Sequence, residues 1–155
     1  MLLRPTAVAA NRWPLVPLLV GVGVARGVAR VTDVGVTLKW PNDLMVGERK
    51  LGGILAERVE SPAGAAVVVG VGLNVTLREP ELPVPTAISL GLAGAKITDR
   101  DTVLRASLRA VAAEYDRWID AAGDPDPTLL PAYRELCATI GQQVRAELPG
   151  DHVVE

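Results

Sequence analysis

Between Val36 and Val59 the chain carries three runs of strand character, joined by connections too short for anything but tight turns. Val36-Thr37-Leu38-Lys39-Trp40 reads as a strand stopped by Pro41, which also holds the residue before it in an extended conformation. Leu44-Met45-Val46 resumes the strand pattern, and Gly47-Glu48 turns the chain into a third run from Lys50 to Val59. Hairpin connections of this kind, with helical segments before and after them, indicate an α+β domain on a mixed or antiparallel sheet.

The cover for such a sheet is legible on both sides of it. Pro14 and Pro17 suit the first turn of a helix, and Leu15 to Arg30 reads as a buried helix despite Gly21, Gly23 and Gly27, which lower its propensity. Ala66 to Val71 is a continuous apolar run of strand length, which predicts a central strand covered on both faces. The proline-rich run from Thr76 to Pro85 reads as a surface loop. Asp99 or Asp101 can cap a helix that places Leu104, Leu108, Val111, Tyr115 and Trp118 on one face. A connector at Gly123 to Pro127 leads to a second helix, Thr128 to Ile140. Gln142 to Leu148 then reads as a strand, Pro149-Gly150-Asp151 as a turn and His152-Val153-Val154 as the start of a return strand.

Composition narrows the classes. At 155 residues, 49% apolar and 22% charged, the chain can build one real core and does not look disordered. A net charge of −2 with scattered arginines argues against a nucleic-acid binder, which needs a clustered basic surface. The most apolar stretch, Trp13 to Ala25, falls short of the roughly 20 residues that span a bilayer and carries two prolines, so no membrane span is expected. Cys137 is the single cysteine, which excludes an intrachain disulfide and fits a cytoplasmic protein. It reads as a small core residue within a helix, and His152 as a solvent-exposed turn residue. No histidine or cysteine cluster has metal-ligand spacing, so a structural zinc site is not expected.

Two segments can carry chemistry. Lysine occurs only at positions 39, 50 and 96, and the first two flank one hairpin that also holds Asn42, Asp43 and the pair Gly52-Gly53. Ammonium groups are point charges suited to phosphate and carboxylate oxygens, and paired glycines let a ligand approach the backbone. The Asn-Asp pair can hold a ribose, orient a lysine or help bind magnesium, although Asn-Asp after proline is also ordinary turn chemistry. Gly70-Val71-Gly72-Leu73-Asn74-Val75 ends the next strand, where glycine permits close contact with a ligand or simply marks a bulge.

Lys39-Trp40-Pro41-Asn42-Asp43-Leu44, then Lys50-Leu51-Gly52-Gly53-Ile54-Leu55, then Gly70 to Val75 resemble, in order and spacing, three motifs of the biotin protein ligases. The resemblance runs from Met1 to the end. It implies a class II synthetase-like catalytic domain over residues 1–140 and the start of a small SH3-like β-barrel over 141–155. It further implies ATP-dependent attachment of biotin to a lysine of a biotin carboxyl carrier protein domain of a carboxylase, through biotinyl-5′-AMP, with Mg2+ as the ion. In that scheme Lys50 is the catalytic cation, contacting the biotin carboxylate and the α-phosphate. Gly53 offers backbone to biotin. Lys39, Asn42 and Asp43 serve the nucleotide and magnesium, Asn74 the phosphates or metal, and Trp40, Gly52 and Gly72 complete the residues expected to bind biotin or ATP. The family's Gly-Arg-Gly-Arg-x-Gly-Arg loop is expected upstream of Met1, so the chain alone is expected to be weakly active or inactive, with an exposed sheet edge that favours association. Members often dimerise by extending a sheet, so a homodimer is expected. Two rivals stand beside this reading: a lipoate-type ligase, and a non-catalytic module that binds a ligand or partner.

Overall fold

The computed structural model describes residues 1–144 and, for the backbone alone, 146–148 and 152–154. Five strands form one antiparallel sheet in the order β1-β5-β4-β3-β2: β1 (Leu2–Leu3), β2 (Thr37–Lys39), β3 (Asp43–Val46), β4 (Arg49–Val59) and β5 (Ala66–Leu73). The hairpin connections therefore stand where the turn signals put them. A short 3-10 helix, Ala10–Leu15, contains Pro14 and feeds α1 (Val16–Thr32), which has proline in its first turn. Helices α2 (Arg100–Asp120) and α3 (Leu129–Leu136) follow, and β6 (Ala146–Leu148) pairs antiparallel with β7 (His152–Val154) in a separate ladder. The Pro149-Gly150-Asp151 turn and the side chain of His152 lie outside the described residues.

Helix α1 is the centre of the core. It packs on β2, β3 and β4 with one side and against α2 and α3 with others. Val16, Leu19, Val20, Val22 and Val28 are essentially inaccessible, as are Leu44 and Leu51 beneath them. Ala10–Thr32 is long and apolar enough to cross a membrane by composition, but it occupies the place of a core helix, largely buried under the sheet and helices. Its glycines explain the close fit. A β-carbon at Gly23 would lie 2.6 Å from the Val111 α-carbon, and one at Gly27 2.6 Å from the Ser107 α-carbon. The residues that weaken the helix in isolation are thus the ones that let α2 reach it, and tertiary packing outweighs propensity.

Three expectations need correction. The buried face of α2 is Val103, Ser107, Val111, Glu114 and Trp118, whereas Leu104 and Leu108 are exposed. The stripe is rotated by one residue because small Ser107 is needed against Gly27, and because Glu114 is drawn inward by Arg26 and Arg117 at 2.8 and 2.5 Å. Leu104 and Leu108 instead rim a cleft of about 740 Å³ between α2 and β5, with Val71 and Leu73 opposite. Secondly, β5 is covered on one face only. Val67 and Val69 are buried, while Val68, Gly70 and Gly72 are exposed. It meets Met1–Leu3 only from Val67 to Val69, so from Gly70 onward its outer edge carries no partner strand among the described residues. Thirdly, α3 ends at Leu136 rather than Ile140. Cys137 is buried just past the helix, where it bridges Leu38 and where the Ala138 amide donates to the Leu38 carbonyl. Pairing with β2 replaces the last helical turn.

Asp99 caps α2, accepting from the Thr102 amide at 2.8 Å and the Thr102 hydroxyl at 2.7 Å. These bonds hold its carboxyl below the ordinary carboxylate range. A carboxyl depressed in the folded state stabilises above its unfolded value, and that contribution is lost as pH falls through the folded one. Melting curves of the wild type and Asp99→Ala over acid to neutral pH are therefore expected to differ near neutrality and to converge in acid. Gly23→Val is expected to cost about 1–3 kcal/mol or more by overpacking. Gly35→Ala, where a β-carbon meets nothing within 4 Å, is the control, and urea midpoints report both.

Candidate functional site

A regular strand sends residues three apart to opposite faces. In β4 that rule fails where the chemistry is. Asp43 pairs with Gly53 and Leu44 with Gly52, but Met45 pairs with Lys50, so Leu51 is an extra residue in the strand. This bulge lets Leu51 and Ile54 both enter the core while Lys50 comes round to the face of Gly53. There its Nζ lies 2.5 Å from Asp43 Oδ1. A β-carbon on Gly53 would sit 3.6 Å from Lys50 Nζ and 3.8 Å from Asp43 Oδ1, so the ion pair stands directly over that glycine.

The same face continues across β5. Residues directly opposite in an antiparallel ladder share a face. Gly72 lies opposite Gly53, and Gly70 opposite Leu55, which is 64% exposed. Nothing comes within 4 Å of a β-carbon built on Gly70 or Gly72. The result is an open floor of main chain, bordered by Leu55 and Val68 and headed by the Lys50–Asp43 pair. A flat apolar ligand can lie on such a floor with its anionic end at the ammonium.

The expected site residues separate by what they touch. Lys50, Asp43, Gly53 and Gly72 come together on this face. Lys39 lies opposite Asp43 in the β2–β3 register and is exposed. Trp40 is 54% exposed, follows β2 in a turn with a cis peptide to Pro41, and has its amide bonded to the Thr139 hydroxyl at 3.2 Å. Gly52 has a packing role of its own. A β-carbon there would meet the Gly72 carbonyl oxygen, so glycine is required for β4 and β5 to pair.

The two asparagines are fastened to backbone. Asn42 Nδ2 donates to the Ile54 carbonyl at 2.9 Å, and the Ile54 amide donates to the Asn42 carbonyl at 2.9 Å. This pins the turn after Pro41 against the glycine strand. Asn74 Nδ2 donates to the Ile88 carbonyl at 3.1 Å, and its own carbonyl accepts from the Leu90 amide at 2.9 Å. No motif or periodicity marks the segment so tied, Thr86 to Leu90. It runs beside Lys50, whose amide donates to the Thr86 carbonyl at 2.8 Å and whose carbonyl accepts from the Ile88 amide at 2.9 Å. Ser89 and Leu90 within it are fully buried.

Among the described residues no group of three or more histidine, cysteine, aspartate or glutamate side chains could hold a metal ion. Asp43 is the carboxylate at the head of the floor. One carboxylate suits a magnesium ion that takes its remaining ligands from substrate phosphates and water.

Residues 4–74, which include all three motifs to Asn74, match the model of the Biotin/lipoate A/B protein ligase family. The biotin–[acetyl-CoA-carboxylase] ligase of Mycobacterium tuberculosis is 40% identical over 150 residues, covering 95% of this chain and 53% of that protein. The apo biotin protein ligase from Aquifex aeolicus superposes with a TM-score of 0.77 at 26% identity, over 99% of this chain and 65% of that one. The Aquifex aeolicus ligase in complex with biotin and ATP superposes with a TM-score of 0.76 at 25% identity, over 99% of this chain and 62% of that one. The chain thus spans about half the length of the curated relatives that it matches across most of its own length.

The two neighbouring glycines are expected to behave oppositely when each is given a methyl group. Gly52→Ala, facing the Gly72 carbonyl, is expected to lower stability by at least about 1–3 kcal/mol. Gly53→Ala makes only ordinary contacts and is expected to keep a near wild-type urea midpoint. Equal midpoints for both variants would contradict this assignment.

Proposed function

Because the chain belongs to the biotin protein ligase family, we propose that it supplies part of the catalytic domain of an enzyme that attaches biotin to a carrier protein at the expense of ATP. The observation that carries the proposal is the Lys50 ammonium held by Asp43 over the Gly53–Gly72 floor. The bicyclic ring of biotin lies on that floor, and its carboxylate exchanges for Asp43 at Lys50. Lys50 also meets the α-phosphate of ATP, so one cation draws two mutually repelling anions together.

The carboxylate oxygen attacks the α-phosphorus, a new oxygen–phosphorus bond forms, and the bond to the bridging oxygen breaks to release pyrophosphate. Charge that builds on the α-phosphate oxygens is met by Lys50. Lys39, exposed at the end of β2, serves the outer phosphates, and Trp40 borders the nucleotide. Asn42 and Asn74 act mainly through the backbone that they hold, each leaving its side-chain oxygen for a ribose or a phosphate-bound ion. Asp43 is the carboxylate for magnesium, which when bound would neutralise phosphate charge. In the second step a neutral lysine amine of the carrier attacks the acyl carbon and AMP leaves with the electron pair of the broken bond. The amine proton passes to solvent. Positioning of reactants carries much of the rate, without a covalent enzyme intermediate.

The acceptor in this scheme is the biotin carboxyl carrier domain of a carboxylase, met in the cytoplasm. Residues 1–140 form part of the catalytic domain and 141–155 begin an SH3-like domain. The outer edge of β5 past Val69, which has no partner strand among the described residues, supports a homodimer made by extending the sheet.

Biotin-dependent ATP–pyrophosphate exchange tests the reading, using this chain alone and joined behind the N-terminal part of the Mycobacterium tuberculosis relative. Exchange is expected in the joined protein, with Lys50→Ala reducing it about 10²–10³-fold. Exchange that survives Lys50→Ala would remove Lys50 from the mechanism. Lipoate that competes with biotin at equal concentration would move the assignment to the lipoate branch.

A further inference from the structure

Both main-chain hydrogen-bonding groups of Lys50 are bonded to segment 86–88, the amide to the Thr86 carbonyl and the carbonyl to the Ile88 amide. The bulge at Leu51 turns Lys50 toward the Gly53 face; Met45 lies opposite it in β3, and segment 86–88 flanks it on the other side through the bridge to Ala87. What keeps that segment in place decides where the ammonium stands. Its downstream end is tied by Asn74 and by Ser89, whose hydroxyl donates to the Leu77 carbonyl at 2.6 Å. Its upstream end leaves the proline-rich loop, where a different side chain makes the connection. Arg49 Nε donates to the Ala87 carbonyl at 2.9 Å, and Arg49 Nη2 pairs with Glu79 Oε1 at 2.6 Å.

One guanidinium therefore grips the outer turn of the loop and its returning strand together. A rigid, planar fork can satisfy two acceptors in fixed directions, which an ammonium on a flexible stem does less well. Arg49 adjoins Lys50 in sequence and is itself only about one-third exposed, at 35%. Nothing in the first strand of the hairpin substitutes for it, since Met45 is the residue opposite Lys50.

We propose that Arg49 is a positioning residue for Lys50: by clamping Glu79 to Ala87 it fixes segment 86–88, and through it the backbone from which the Lys50 ammonium is presented over Gly53. The kinetic consequence rests on the adenylation reading, but the positional one does not. Loosening the clamp lets Lys50 drift from Asp43 and from the floor.

The chain has only three lysines, so limited acetylation followed by peptide mass spectrometry reads Lys50 directly, with distant Lys96 as the internal reference. In folded protein, verified by circular dichroism, Arg49→Ala is expected to raise the Lys50:Lys96 acetylation ratio, because an amine no longer held against its carboxylate is more open to the reagent. Glu79→Gln keeps the arginine charge and opens only the outer half of the clamp. It is expected to move the ratio in the same direction by less, and it serves if Arg49→Ala does not fold. Arg49→Lys is expected to restore the ratio part of the way. In the exchange assay, Arg49→Ala is expected to lower kcat about tenfold or more with little change in KM for ATP. An unchanged acetylation ratio in folded Arg49→Ala, or in Glu79→Gln if the former is unfolded, overturns the proposal. So does a rise in KM for ATP at constant kcat, which would make Arg49 a simple binding cation. Absence of exchange in the wild-type joined protein would count against the adenylation reading alone, and the acetylation ratio would still decide the role of Arg49.

Discussion

A strand that must fill a core and present a cation on its outer face faces a conflict of period. Leu51 and Ile54 are needed inside and Lys50 outside, yet regular alternation cannot place all three. The single extra residue in β4 resolves this, and much of the molecule follows from it. Leu44 and Leu51 seal the sheet against α1, Gly53 is left bare beneath the ammonium, and Lys50 must find hydrogen-bond partners beyond β3. The long return of the chain through the proline-rich loop to Thr86–Leu90 meets that last need. The fold on one side of the bulge is a packing problem, and on the other side a problem of holding one charge still.

Helix α1 solves the packing problem in a costly way. Glycine inside a helix sacrifices roughly 1 kcal/mol against alanine at each position. At Gly23 and Gly27 the return is backbone-level contact with α2, and with it burial of Trp118 and Val111. Glu114 is buried in the same interface but meets two arginines, so its charge is compensated and remains close to solvent through half-exposed Arg26 and Arg117.

Much of this was legible from residues alone. The turns at Pro41-Asn42 and Gly47-Glu48, the helix cap at Asp99 and the short connector after Gly123 are local signals set by backbone chemistry, and local chemistry survives folding. Hydrophobicity points to the wrong face of α2, because the buried face is chosen by size at Ser107 and by charge at Glu114. The two-sided cover expected of β5 is absent for a related reason: an unbroken apolar run does not say whether one face or two are covered. At the site, residue types pointed to Lys50, Asp43 and Gly53. They could not tell that Gly52 serves strand pairing, or that the amides of Asn42 and Asn74 are spent on the main chain. The roles of the two asparagines depend on partners 12 and 14 residues away, and that of Gly52 on Gly72 in the next strand, which no motif spacing encodes.

The three tryptophans divide sharply by environment. Trp13 and Trp118 are buried, each with its indole nitrogen bonded to a backbone carbonyl, whereas Trp40 stands half in solvent beside Lys39 and Pro41. Light emitted at the red edge of the protein's fluorescence therefore comes chiefly from one indole, in the turn between β2 and β3. The molecule carries its own optical probe there, one whose colour and quenching by iodide or acrylamide change when that turn is covered, while two shielded indoles supply a constant reference.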